Sequence, residues 1–184
     1  MTKKELNDLL NKGKWENISI AKYESIKNKI DIENATTDAV LDAMSVIYEI
    51  PKEDLLNLDI KTFNCLLTQV NNLKNFNANK LKKTYSINGT NYSIGLKYNV
   101  LRGEFDITTD QYITFMNVLR ENSECLPSIL ATILIPNGQR FNNGYDLLQL
   151  KENINRHMSI LDGASIVFFL NSLFLALLNK HSVK

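Results

Sequence analysis

The chain reads as an α+β protein, predominantly α-helical, with one small antiparallel β-hairpin. Three observations predict this. Asn88-Gly89 is the dipeptide best suited to a two-residue type I′ turn, whose central positions both need φ > 0. On either side of it apolar and polar residues alternate, as on a half-buried strand. Elsewhere the apolar residues recur at the three-and-four spacing of a helix face, without an internal repeat.

From the N-terminus, Trp15 precedes Ser19, which suits the N-cap of a helix that sets Ile20, Tyr23, Ile26 and Ile30 on one side. After Thr36-Thr37 a second helix carries Val40, Ala43, Met44 and Ile47 at i, i+3, i+4 and i+7. It ends at Ile50-Pro51, because proline disfavours helical geometry in the residue before it. Pro51 then serves as the first residue of a short helical turn through Leu55-Leu56. Asp59 caps a longer helix whose stripe is Phe63, Leu66, Leu67, Val70 and Leu73. Residues 71–83, heavy in Asn and Lys, connect an N-terminal helical region (1–80) to a hairpin-plus-helices region (81–184), the two expected to form one compact unit. Lys74, Lys80, Lys82 and Lys83 in this connector read as a solvated charge run rather than an anion contact.

In the hairpin, Ile87 should stand opposite Thr90 and Tyr85 opposite Tyr92. Tyr85, Ile87, Tyr92, Ile94 and Leu96 then share one face, with Ser86, Asn91 and Ser93 on the other. Residues 97–106 add either a third short strand or an irregular loop turning at Gly103. Thr108 and Gln111 fit a capping box that opens a helix burying Tyr112, Phe115, Met116 and Leu119. Leu126-Pro127 leads into a short apolar helix over residues 128–135, stopped by Pro136-Asn137-Gly138. The turn-forming loop 137–144 follows. Asp146 or Tyr145 then opens a helix with Leu147, Leu150, Ile154 and Met158 on one side.

Asp162 opens the last helix, which is uncharged and apolar over residues 163–179, with residues 180–184 as a tail. About 17 residues is the short limit for a bilayer span of roughly 20. Ser165, Ser172 and Asn179 lay a narrow polar stripe along it, and no aromatic or basic belt flanks both ends. A helix buried in protein or covered by a partner is therefore expected, not a membrane span.

At 184 residues the chain can bury a real core, and its 44% apolar and 22% charged content is ordinary for a soluble protein. A formal net charge of +1, with both signs interspersed, lacks the basic stripe of a nucleic-acid binder. Cys65 and Cys125 have no CxxC spacing. They read as small reduced hydrophobes, with a disulfide as the alternative in an exported protein. No apolar signal-peptide core follows the basic N-terminus, so a reducing cytoplasm is expected.

Catalysis needs convergent titratable groups or a metal cage. The two imidazoles, His157 and His181, lie on a helix and in the tail, without ligand spacing around them. No GxGxxG, GxxxxGK[ST] or GxSxG occurs. The carboxylate pairs (Glu53 with Asp54, Asp106 with Asp110, Glu121 with Glu124) fall at helix starts or exposed helix ends, where they complement the helix dipole. No catalytic residue, cofactor or metal ligand is assigned, and the protein is expected not to be an enzyme. The surplus is apolar surface on the last helix. Most of it is expected in the core. Partner contact is assigned to Phe168, Phe169, Leu173, Phe174 and Leu177.

The order of features adds a resemblance. Trp15-Glu-Asn-Ile-Ser-Ile-Ala-Lys-Tyr23 opens the series, followed by Ile87-Asn-Gly-Thr-Asn-Tyr92 and Ile107-Thr-Thr-Asp-Gln-Tyr112-Ile. Leu130-Ala-Thr-Ile-Leu-Ile-Pro136, Asn143-Gly-Tyr145-Asp and Phe168-Phe169 complete it. This succession resembles small morphogenesis proteins of tailed bacteriophages, particularly tail assembly chaperones. The resemblance implies a host-cytoplasmic, non-catalytic protein that binds a phage tail protein such as the tape-measure protein. It transfers no ligand or catalytic residue. The alternative is a permanent virion component (a connector, ring or cargo subunit) whose faces also join copies of the chain.

Overall fold

The computed structural model describes residues 2–29, 36–73, 81–99, 104–106, 108–121, 126–141 and 144–181; the side chains at 72, 97–99, 104–106, 119–121 and 173–181 lie outside that description. The fold is mostly helical with a small three-stranded antiparallel sheet, as the periodicities predict. The chain divides into two compact units, residues 1–77 with 159–161, and residues 78–158 with 162–184.

The first unit is helical. Helix α1 (Lys3–Lys12) was not legible from apolar periodicity, since Leu6, Leu9 and Leu10 are half-buried and its other residues are polar. Its signal was the capping box: Thr2 Oγ1 accepts from Glu5 N at 3.3 Å, and Thr2 N donates back to Glu5 Oε2 at 2.7 Å. A 3₁₀ turn (Trp15–Asn17) leads to α2 (Ile20–Ile26), capped by Ser19 as expected. Ile20 and Ile26 are fully buried, while Ile30 lies outside the described residues. Ile160 N donates to Ile18 O at 2.8 Å, which ties residues 159–161 to this unit.

Helix α3 (Thr37–Tyr48) packs against α1, α2, α4 (Lys52–Leu56) and α5 (Ile60–Asn72). Ala43, Met44 and Ile47 are fully buried, joined by Leu41 and Tyr48, which the single predicted stripe omitted. The Tyr48 hydroxyl donates to Leu66 O on α5 at 2.7 Å, so a phenol can sit in the core without an orphaned donor. Burial raises its pKa further above the ordinary phenol range. Pro51 stands at the N-cap of α4, one position before its predicted place. Asp59 caps α5 as predicted, accepting from Thr62 N at 3.0 Å. Leu66, Val70 and Leu73 are buried, and Phe63 and Leu67 half-buried.

Glu49, the C-cap of α3, adopts the left-handed conformation at φ 57°, a region that disfavours Cβ-bearing side chains. Its carboxylate accepts from Lys12 Nζ of α1 at 2.7 Å and also from Lys22 Nζ of α2. These two ammonium groups hold the Glu49 carboxyl down at about 2.

In the second unit the hairpin forms as the turn chemistry requires. Asn88 and Gly89 have φ of 47° and 77°, and β1 (Tyr85–Ile87) pairs with β2 (Thr90–Ile94) in the predicted register, Tyr85 opposite Tyr92 and Ile87 opposite Thr90. Tyr85, Ile87 and Tyr92 are buried while Ser86 and Asn91 are exposed. Strands β3 (Lys97–Asn99) and β4 (Glu104–Asp106) pair only with each other among the described residues, so this segment does not extend the hairpin.

The third strand comes from a segment that the sequence assigned to a helix. Helix α7 (Leu126–Ile133) ends two residues early, and β5 (Leu134–Pro136) pairs antiparallel with β2, Ser93 opposite Ile135. A short apolar run does not distinguish strand from helix by period, and the open edge of β2 decides. Asn137 N donates to Asn91 O at 2.9 Å, so the next backbone position inward, Pro136, faces away from β2 and loses no ladder bond. At the other end Gly95 N donates to Ile133 O at 2.7 Å. A Cβ on Gly95 would lie 2.2 Å from Ile135 Cδ1, 2.6 Å from Cγ1 and 3.1 Å from Ile133 O. The Ile135 side chain fills the space a Cβ would take, so any larger residue at 95 forces it to move.

Helices α6 (Thr109–Glu121) and α8 (Leu147–His157) both pack on α7, and α8 also meets β1. Leu150, Ile154 and Met158 are buried, and Asp146 is the N-cap of α8. On α6, Phe115 is buried, Tyr112 is half exposed against expectation, and the Leu119 side chain lies outside the described residues. Helix α9 (Ile160–His181) starts before Asp162, which sits in its first turn and pairs with Lys82 at 2.7 Å. The predicted connector is helical through Asn72; residues 74–80 lie outside the described residues.

Two tests follow from these contacts. Gly95→Ala should destabilise the protein by about 1–3 kcal/mol in urea unfolding, and combining it with Ile135→Val should cost less than the sum of the single changes. Glu49 is mostly exposed, so its clasp contributes below about 1 kcal/mol. Its folded pKa lies under the ordinary 4.5, so that contribution is present above pH 4.5 and is lost as pH falls towards about 2. Glu49→Gln should remove the contribution at neutral pH and flatten the acid limb of a stability–pH curve in that window.

Candidate functional site

The pairing of β2 with β5 builds the floor of a cleft of about 570 Å³ in the second unit. Ser93, Ile94 and Gly95 line it from β2 and the residue after it, and Ile135 and Pro136 from β5. Gly138, at φ 82°, turns the chain so that Gln139, Arg140 and Phe141 form a second wall. Thr108 and Gln111, from the start of α6, form a third. The volume lies within the range of small-molecule sites, about 300–1,000 Å³.

Thr108 Oγ1 accepts from Gln111 N at 3.1 Å, which is the expected N-cap. Gln111 does not reach back to Thr108 to complete the box. Its side chain is drawn inward, 2% exposed, and Nε2 donates to Thr132 O near the end of α7 at 3.0 Å. A buried carbonyl at a helix end is a stronger claim on an amide than an exposed cap, because leaving it unpaired costs about 1–3 kcal/mol. Gln111 therefore ties α6 to α7 while facing the cleft. Gln139 and Arg140 are exposed, and Phe141 is buried. None of the described lining residues is acidic.

The cleft was not read from the sequence. Its local signals are the turn-forming loop 137–144, which holds Gln139, Arg140 and Phe141, and the helix start at Thr108 and Gln111. The three walls come from residues far apart in the chain, and no spacing rule joins them.

The partner residues assigned on α9 separate by helical angle. Phe168 is 63% exposed and Phe169 half-buried, while Ile166 and Leu170 are buried. Asn171 and Ser172 continue the exposed side, and Ser172 Oγ donates back to Phe168 O at 2.9 Å. The side chains of Leu173, Phe174 and Leu177 lie outside the described residues, as do Cys125 and the side chain of His181. Cys65 and His157 are exposed. Among the described residues no group of three or more His, Cys, Asp and Glu converges, and no helix is long and apolar enough to cross a membrane.

Comparison of the chain with family models, curated proteins and solved structures finds no match.

The Gln111 contact can be tested directly. Gln111→Leu keeps the volume but leaves Thr132 O without its donor, and should lower unfolding free energy by about 1–3 kcal/mol. Gln111→Glu should cost at least as much, because a buried carboxylate cannot donate.

Proposed function

We propose that the protein binds another polypeptide without chemistry of its own, as a tail assembly chaperone that shields a tape-measure-type protein of a tailed bacteriophage in the host cytoplasm. The supporting observation is the large apolar side chains held in water. Phe168, Leu148 (75% exposed), Tyr112 and Ile113 project from helices of the second unit, and Leu56 and Ile60 (70% exposed) from the first. Burying such a side chain against a client contributes about 1.5–3 kcal/mol, enough for a few of them to support reversible capture. Phe168 is the clearest instance. Its neighbours Ile166 and Leu170 already fill the core, so its own ring is not needed there. The order of motifs from Trp15 to Phe169 supports the choice of client class, and the absence of basic excess (+1 overall) favours a protein over a nucleic acid.

Two measurements test the reading. Mass spectrometry should find the protein abundant in infected-cell lysate and missing from purified particles; stoichiometric copies in particles would instead mark it as a permanent virion component. Phe168→Asp should leave the melting temperature within a degree or two, as expected for an exposed site. The same variant should lose the ability to keep the tape-measure protein soluble on co-expression. Unchanged client solubility would remove Phe168 from the contact.

A further inference from the structure

The cleft between β2, β5 and the start of α6 is chemically one-sided. Its described walls bring two hydroxyls (Ser93 and Thr108), two side-chain amides (Gln111 and Gln139) and one guanidinium (Arg140), with no carboxylate. The seven ion pairs among the described residues all use lysine, and Arg140 enters none of them. An arginine with no anionic partner among the described residues, lining a cleft that also holds two hydroxyls, offers a planar pair of N–H groups that matches a carboxylate. Ile135 and the buried Phe141 add apolar lining. Gln111, 2% exposed, is fixed at this wall by the bond from its Nε2 to Thr132 O.

We infer that this cleft binds a carboxylate carried on a small apolar group. Arg140 pairs with the carboxylate, and Ile135 and Phe141 receive the apolar group. Both the C-terminal end of a polypeptide and a free acylated amino acid present this chemistry. The site stands independently of client shielding by exposed apolar residues, since it shares no residue with Phe168 or the other exposed apolar positions.

The test is titration of the full ¹⁵N-labelled chain, followed by amide chemical shifts, with three probes: N-acetyl-leucine, N-acetyl-leucinamide and the acetylated tetrapeptide acid Ala-Ala-Ala-Leu. N-acetyl-leucine should give saturable shifts at Gly95, Gln111, Gly138 and Arg140, with Kd of about 1 mM or tighter. The amide, lacking the charge, should bind about tenfold or more weakly. Arg140→Gln should weaken N-acetyl-leucine by a similar factor, and Arg156→Gln, on the exposed side of α8, should not. Tighter binding of the tetrapeptide assigns the site to a chain end, and equal binding assigns it to a free acid. No saturable shift with N-acetyl-leucine, or equal binding of acid and amide, overturns the inference whether or not the Arg140 variant folds.

Discussion

The second unit depends on one non-local pairing, that of β2 with β5. A two-stranded hairpin alone is marginal in water, and a third strand is what gives its apolar face a stable sheet to belong to. Here that strand is Leu134–Pro136, and closing the long loop to reach it costs entropy that the ladder must offset. The ladder runs from Gly95 N on Ile133 O at one end to Asn137 N on Asn91 O at the other. It stops α7, aims the chain into the loop after Pro136, and sets that loop over the sheet. Gly95 makes the approach possible by presenting no Cβ to Ile135. The cleft is a by-product of this geometry, since each of its walls is held by the sheet or by the helix that Gln111 ties to α7.

The first unit solves a different problem, how α3 can touch several helices and still end cleanly. Tyr48 and Glu49 divide the task. Tyr48 turns inward and satisfies its hydroxyl on the backbone of α5. Glu49 turns outward in a left-handed conformation and gathers Lys12 and Lys22 from α1 and α2. The surface network of Lys52 with Asp38 and Asp42, and Lys29 with Asp42, works in the same way, with short contacts of small individual worth. Apolar burial supplies most of the stability here, and the charges select the arrangement in which it occurs.

Two surfaces of unlike chemistry result. One is a set of single exposed apolar side chains on helices of each unit; the other is a cleft in the second unit whose described walls carry no negative charge. A protein that holds another chain needs adhesion without a fixed sequence code, which scattered apolar groups provide. Discrimination needs a directional group, and a guanidinium at a cleft is one. The function proposed above uses the first surface, and the proposed carboxylate site uses the second.

Local chemistry was legible where a few adjacent residues decide the outcome. The Asn88-Gly89 turn and its register depend on two adjacent residues that accept positive φ, and the caps at Ser19, Asp59 and Thr108 on side chains reaching nearby backbone. The helical stripes were legible for the same reason, since a repeating period records which face is covered. Outcomes set by distant partners were not. Residues 134–136 are a strand because β2 offers an edge, Gln111 abandons its capping role because Thr132 O is buried nearby, and Tyr112 is exposed because α6 presents Phe115 to its neighbours instead. Whether an apolar side chain on α9 faces the core or water likewise depends on what packs beside it. The amino-acid order specifies each element's preferred conformation and its apolar face; only the folded chain decides which edge, carbonyl or cavity that face meets, because those contacts join residues that no local period links.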